Sequence, residues 1–289
     1  MNATVRSSIV WAVIGLLTVS SAAPAAEERS GVFTEDNLVA WCVVPFDAAK
    51  RGPAERAEML ARLGFTRLAY DWRGEHVPTF EQEILELKKR DIEMFAFWGE
   101  HDAMFRLFEK HGIAPQVWKT LGSPTGGTQA EKVETAAGRI LPLVERTRKL
   151  GCKLGLYNHG GWGGEPENLV AVCRWLHENA DADHVGIVYN LHHGHGHIND
   201  FAESLASMKP YLLCLNLNGM NDGAQPKILP IGRGEHDKRL LGLIVESGYR
   251  GPIGILDHRG DLDAEQSLRE NLDGLDALLP QLTAPPERN

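Results

Sequence analysis

The chain has 289 residues, 43% of them hydrophobic and 24% charged, with a formal net charge of −9. That balance describes a globular protein rather than a disordered one, and the length holds one large domain or two small ones. The acidic excess, with no stripe of clustered Lys and Arg, argues against polyanionic partners such as DNA.

At the N-terminus Arg6 precedes an apolar run from Ile9 to Val19, and Ala23-Pro24-Ala25 follows. This is the pattern of a secretory signal peptide over residues 1–25, and its apolar core is shorter than the roughly 20 residues a membrane span needs. It implies an exported protein, periplasmic or extracellular, with no membrane attachment after cleavage. The four cysteines are read against that oxidising setting. No C-x-x-C pair occurs, which argues against a zinc ribbon. Buried, unpaired thiols are expected at Cys42, Cys152, Cys173 and Cys214, with a Cys152–Cys173 bridge the alternative that spacing leaves open.

After a polar lead-in over 26–37, strand and helix patterns alternate. Leu38 to Val44 reads as a first strand. Pro53 to Leu63 reads as a helix stopped by Gly64. Phe65 to Tyr70 is a second strand, closed by Asp71-Trp72-Arg73, and Phe80 to Lys89 is a charged helix with Ile84, Leu85 and Leu87 inward. Ile92 to Trp98 is a third strand, Met104 to Lys110 a short helix, and Ile113 to Thr120 a fourth strand weakened by Pro115. The stretch 122–127 is a Gly/Pro/Thr connector without a phosphate-loop pattern. Glu131 to Leu150 is a long amphipathic helix. Strands at Lys153 to Tyr157, Val185 to Asn190, Tyr211 to Leu217 and Ile253 to Leu256 then alternate with helices at Glu165 to Glu178, Ile198 to Met208, Lys238 to Glu246 and Ala264 to Leu279.

Short apolar strands alternating with helices call for a parallel sheet buried on both faces. Eight such units without a linker-rich break predict the α/β class and a single (β/α)8 barrel over 38–280, followed by a tail at 281–289. The rival, an open doubly wound sheet, would want a Gly-rich turn after the first strand, and Val44-Pro45-Phe46-Asp47 is not one.

Polar clusters follow the strands directly, where a barrel builds its site. Tyr157-Asn158-His159 and Trp162 follow strand five. His192, His193, His195 and His197 follow strand six, and imidazole suits both acid–base work and borderline metals. Asn216 and Asn218 alternate with leucines and suit hydroxyl recognition. Arg233 suits an anionic group or a sugar oxygen, Asp257 or His258 a general acid or base, and Trp162 a sugar-packing wall. Glu165 reads as a helix-start acid. Tyr70, Asp71 and Arg73 line the floor or pair among themselves.

These strand-end motifs resemble the xylose-isomerase-like TIM barrel superfamily of sugar isomerases, epimerases and endonuclease-type phosphodiesterases. The resemblance runs from about Leu38 to Leu279. It rests on Leu154 to Gly160 against the E-N-H turn, Val185 to His193 against D-x-x-H, Gly232-Arg233-Gly234 against the G-x-G loop, and Gly248 to Ile253 entering strand eight. It implies a divalent ion (Mn, Zn, Co or Mg) held by Glu, Asp, His and Glu from strands five to eight. Here those positions read Tyr157, Asn190, Asn216, and Leu256 or Asp257, with His193 matching the His of D-x-x-H. The metal ligands that the resemblance leaves are His193 and Asn190. It further implies a small carbohydrate ligand, with Tyr157, His159, Asp257 and His258 as catalytic groups and Asn158, Trp162, Asn216, Asn218 and Arg233 as substrate contacts. The expected reaction is proton abstraction next to a carbonyl of a sugar or keto-sugar, giving isomerisation or epimerisation. A lyase on keto-sugars and a carbohydrate-binding barrel without catalysis are the alternatives. An abasic-site nuclease fits poorly with export and negative charge.

Overall fold

A computed structural model describes residue 29 and residues 31–283. The signal segment expected over 1–25 and most of the tail lie outside the described residues. Eight strands alternate with eight helices: β1 (Leu38–Trp41), α1 (Pro53–Arg62), β2 (Arg67–Tyr70), α2 (Phe80–Lys88), β3 (Glu93–Trp98), α3 (Asp102–His111), β4 (Gln116–Thr120), α4 (Gln129–Leu150), β5 (Leu154–Tyr157), α5 (Pro166–Ala180), β6 (Val185–Asn190), α6 (Phe201–Met208), β7 (Leu212–Leu217), α7 (Asp237–Glu246), β8 (Ile253–Leu256) and α8 (Ala264–Thr283). The strands pair in parallel and in chain order, and β1 closes on β8 with Leu38 opposite Ile253 and Trp41 opposite Leu256. The architecture is the closed barrel that the alternating pattern predicts. Among the described residues no helix is long and apolar enough to cross a membrane.

Local chemistry sets the element ends. The Thr128 hydroxyl accepts the Glu131 N–H at 3.3 Å and the Glu131 carboxylate accepts the Thr128 N–H at 2.6 Å, a reciprocal cap for α4. Left-handed Gly112 and Gly151 end α3 and α4. Strand β4 begins only after Pro115, which has no N–H for the ladder. Strand β1 is shorter than expected because Cys42 turns to φ 57 and leaves the extended region. Leu85, expected inward, is 43% exposed. The buried stripe of α2 is Phe80, Glu83, Ile84 and Leu87, the i, i+3, i+4, i+7 face, and Leu85 lies off it.

Two apolar layers result. Between strands and helices lie Leu60, Ile84, Phe108, Val144, Leu176, Leu205, Ile244 and Leu268. Inside the barrel lie Val39, Trp41, Trp118, Tyr157, Val188 and Cys214. Trp41 and Trp118 meet at 4.2 Å between ring centroids. Two strand glycines make the space. A Cβ on Gly155 would come 2.7 Å from the Trp118 ring, and one on Gly254 would come 2.5 Å from the Trp41 ring. All four cysteines are free and buried, as expected, without a Cys152–Cys173 bridge.

Candidate active site

The strand ends open into a cavity of about 370 Å³ at the C-terminal mouth of the barrel. Its walls are aromatic, from Phe46, Trp72 and Trp98, with Thr120 and Cys42 between them. The Trp72 indole donates to the Trp98 carbonyl at 2.8 Å, which fixes one wall against the other. The polar lining is Asp71, Arg73, Tyr157, His159, His193 and His258. Cys42 and His258, at the adjoining ends of β1 and β8, are both left-handed (φ 57 and 47), an uncommon conformation away from glycine. Both line the cavity.

The imidazoles form a connected run. Ring centroids stand 4.4 Å apart between His159 and His193, 4.6 Å between His193 and His192, and 5.0 Å between His192 and His258. Burial, then the neighbouring imidazoles and Lys227, depress His193 to about 2. Burial, then His258, Lys227 and His195, depress His192 to about 3. Burial, then the Arg73 guanidinium, lowers His258. His192 and His193 are therefore neutral at physiological pH. His195 and His197 lie apart from this run. His195 bonds the His192 carbonyl at 3.1 Å, and His197 bridges Glu165 at 2.8 Å and Asp200 at 3.0 Å, tying the loop after β6 to the start of α5.

Two buried carboxyls carry the acid–base potential. Asp71 is 2% exposed, and neither of its oxygens makes a hydrogen bond of good geometry. Burial lifts it to about 7, against the opposing pull of Arg73. Asp257 is fully buried, its oxygens equally unpartnered, and burial lifts it to about 8 against the Ser267 hydroxyl. Asp71 faces the cavity, whereas Asp257 stands behind its wall with its N–H on the Trp41 carbonyl at 2.9 Å.

The structure thus brings Tyr157, His159, His193 and His258 together and redistributes the other expected groups. Asn158 is a buried brace: its amide donates to the Asn190 carbonyl at 3.1 Å and accepts the Asn190 N–H at 2.7 Å. Asn190 is not free to ligate. Its Oδ1 accepts the His192 N–H at 3.0 Å and the Asn216 amide at 2.7 Å, and its Nδ2 donates to the Tyr157 hydroxyl at 2.8 Å. Asn216 uses its amino group on that contact, is absent from the cavity lining, and keeps a buried Oδ1 without a hydrogen-bond partner. Asn218 donates to the Gly219 and Lys227 carbonyls at 2.9 and 3.1 Å and holds its own loop. Trp162 packs outside the cavity, donating to Gln129 at 3.1 Å.

Arg233 is directed away from the mouth. The buried Asp237 carboxylate accepts the N–H groups of Met220, Gly232 and Gly234 at 2.7, 2.7 and 2.9 Å, so the Gly-Arg-Gly segment is a pinned turn. Arg233 lines a separate depression beside Glu270 and Asp273 on α8. Sequence reasoning placed Asp71 and Arg73 only on the floor or in a mutual pair. It missed Phe46, Trp72 and Trp98 as walls. Their signal was position, since Trp72 and Trp98 stand at or just past strand ends.

The ends of β5 to β8 do not offer an anionic cage. Tyr157, Asn190 and Asn216 are neutral and bonded to one another, and Asp257 is screened from the cavity. Among the described residues the three-ligand grouping with closely spaced donor atoms is Asp222, Glu235 and His236, exposed or half-buried on the loop between β7 and α7.

No protein-family model and no curated protein matches the sequence. The fold does match solved structures. A 3-keto-D-glucoside 4-epimerase from E. coli is similar over 84% of this chain and 98% of its own, at 15% identity and TM-score 0.60. The IolI protein with a bound zinc atom is similar over 86% and 100%, at 13% identity and TM-score 0.65. A xylose isomerase-like TIM barrel protein from Mycobacterium smegmatis in complex with magnesium is similar over 84% and 97%, at 16% identity and TM-score 0.52. The fold shared with these structures is the closed (β/α)8 barrel.

Proposed function

We propose that this chain is an exported sugar isomerase/epimerase-like enzyme that removes a proton next to the carbonyl of a sugar or keto-sugar held in the barrel mouth. One observation carries the reading: a buried carboxyl poised near neutrality, neutral imidazoles and aromatic walls share a single cavity. A general base works best with a pKa near the working pH, and Asp71 at about 7 meets that condition. The epimerase among the similar structures, and the sugar-processing names around it, support the substrate class.

The apolar face of the sugar packs on Trp72 and Trp98, and its hydroxyls meet His193, His258 and Thr120. The Asp71 carboxylate takes the proton from the carbon beside the carbonyl. The C–H electron pair moves into an enolate, and hydrogen-bond donors steady its oxygen. Asp71 follows β2 and His159 follows β5, three strands apart round the ring. Proton return through His159 to the opposite face of the same carbon gives the epimer; return to the former carbonyl carbon, with the enediol hydroxyl proton passing to the other oxygen, gives the isomer. With a leaving group one carbon further on, the same enolate eliminates it.

Export is supported by Arg6, the Ile9–Val19 run and Ala23-Pro24-Ala25, and N-terminal sequencing of secreted protein tests it. The reaction is tested by proton NMR of a keto-sugar panel in D2O. Deuterium entering the α position with wild type but not with Asp71→Asn is expected. A panel that binds yet never exchanges identifies a carbohydrate-binding barrel instead.

A further inference from the structure

We infer that the Tyr157 hydroxyl, anchored by Asn190 with its own proton left for the cavity, is the donor that steadies the substrate oxyanion, at a strand end where the resemblance implies an acidic metal ligand. For its reaction the inference rests on the reading above.

The direction of each hydrogen bond follows from one unambiguous donor. A backbone N–H can only donate, and that of His192 meets Asn190 Oδ1 at 3.0 Å. The other end of the Asn190 side chain is therefore the amino group, 2.8 Å from the Tyr157 oxygen. The tyrosine oxygen accepts there, so its proton is not used on Asn190. Asn216 must present its own amino group to Asn190 Oδ1, at 2.7 Å. Asn158 clamps the Asn190 backbone from both sides, at 2.7 and 3.1 Å, which fixes the strand end that carries the amide, while the His192 N–H sets which end of the amide faces Tyr157.

Donation thus runs one way, from Asn216 to Asn190 to Tyr157, and each bond polarises the next. Among the described residues the Tyr157 hydroxyl has no acceptor for its proton, and the ring lines the cavity. The phenol is fully buried and lies near Cys42 and Asp71, and burial holds its proton on well beyond the ordinary range. A neutral O–H is accordingly presented beside the proposed base. A cation held by carboxylates would polarise a carbonyl by charge. Here the same strand end polarises it by donation, which accounts for Tyr157 and Asn190 at positions where the resemblance implies acids.

The test uses the purified mature protein in excess EDTA and a four-carbon sugar hydroxamate, a planar mimic of an enediolate, with affinity read by calorimetry. Wild type is expected to bind without metal. Tyr157→Phe is expected to bind about a hundredfold more weakly, in line with loss of one oxyanion donor. Asn190→Asp should lose affinity as well, because its carboxylate would accept the phenol proton and draw it from the cavity. Site-specific 3-fluorotyrosine at 157, similar in shape and more acidic, should bind more tightly, a gain that a structural role would not produce. Equal affinity of wild type and Tyr157→Phe overturns the inference. So does wild-type binding that appears only when Mn2+, Zn2+ or Mg2+ is supplied, or no binding under either condition. Hydroxamate binding that follows Tyr157, with no α-proton exchange on any keto-sugar, leaves the donor standing and removes the reaction. Exchange at an equal rate in Tyr157→Phe does the reverse.

Discussion

The ring of Phe46 lies 4.0 Å from the ring of His258, centroid to centroid, joining the loop after β1 to the loop after β8 across the cavity rim. The neighbouring Asp47 enforces this contact. Its buried carboxylate accepts the N–H groups of Ala49, Arg51 and Ala264, each at 3.1 Å, and pairs with Arg51 at 2.8 Å. Asp47→Ala leaves those donors unsatisfied and should destabilise the protein by about 2–4 kcal/mol, read as a lower urea midpoint. Activity should fall further than stability accounts for, because His258 loses its support.

Asp71 makes activity pH-dependent. As the base it must be ionised, so kcat/KM should rise with pH through about 7. Asp71→Asn should lose at least about a hundredfold in kcat and lose that limb of the profile. A profile that keeps its limb near 7 in the variant assigns the base elsewhere.

Asp257 makes stability pH-dependent. Its folded value of about 8 lies above the ordinary 3.8, so between these values the folded state holds a proton that the unfolded chain has released. Stability contributed at low pH is therefore lost as pH rises from about 4 to about 8. Asp257→Asn removes this dependence. Its melting temperature should match wild type near pH 4 and exceed it by several degrees at pH 8.5, a gain of roughly 2–4 kcal/mol. Equal melting curves at both pH values would falsify the burial argument.

Trp98 and Arg233 separate the mouth from the outer depression. Trp98→Ala should weaken binding of a sugar ligand by about tenfold, on the order of 1.4 kcal/mol. Arg233→Ala should leave the affinity within about twofold, because its side chain serves another surface. Titration calorimetry on both variants distinguishes them.

Gly254 tests the barrel interior. A Cβ there would come 2.5 Å from both the Trp41 ring and Asn216 Oδ1. Gly254→Ala should destabilise by about 2–3 kcal/mol through overpacking, while Gly196→Ala, with nothing within 4 Å of its added Cβ, should be near neutral.

The eight-unit barrel and the gathering of polar groups at its strand ends were legible in the sequence. These depend on local rules: continuous apolar strands, amphipathic helices, Gly stops and proline breaks. The departure from an anionic cage was legible too, because strand-end identity at Tyr157, Asn190 and Asn216 is read directly. Which strand-end groups face the cavity and which face one another was decided only by tertiary structure. Asn158, Asn190 and Asn216 read as ligand contacts, yet they bond to one another, since a buried amide takes a near partner and that partner sits 26 to 32 residues away. Arg233 was turned aside by a carboxylate gripping three N–H groups of its loop. Asp71 gained its poise near neutrality from burial, a property of the assembled walls that its sequence neighbours do not encode.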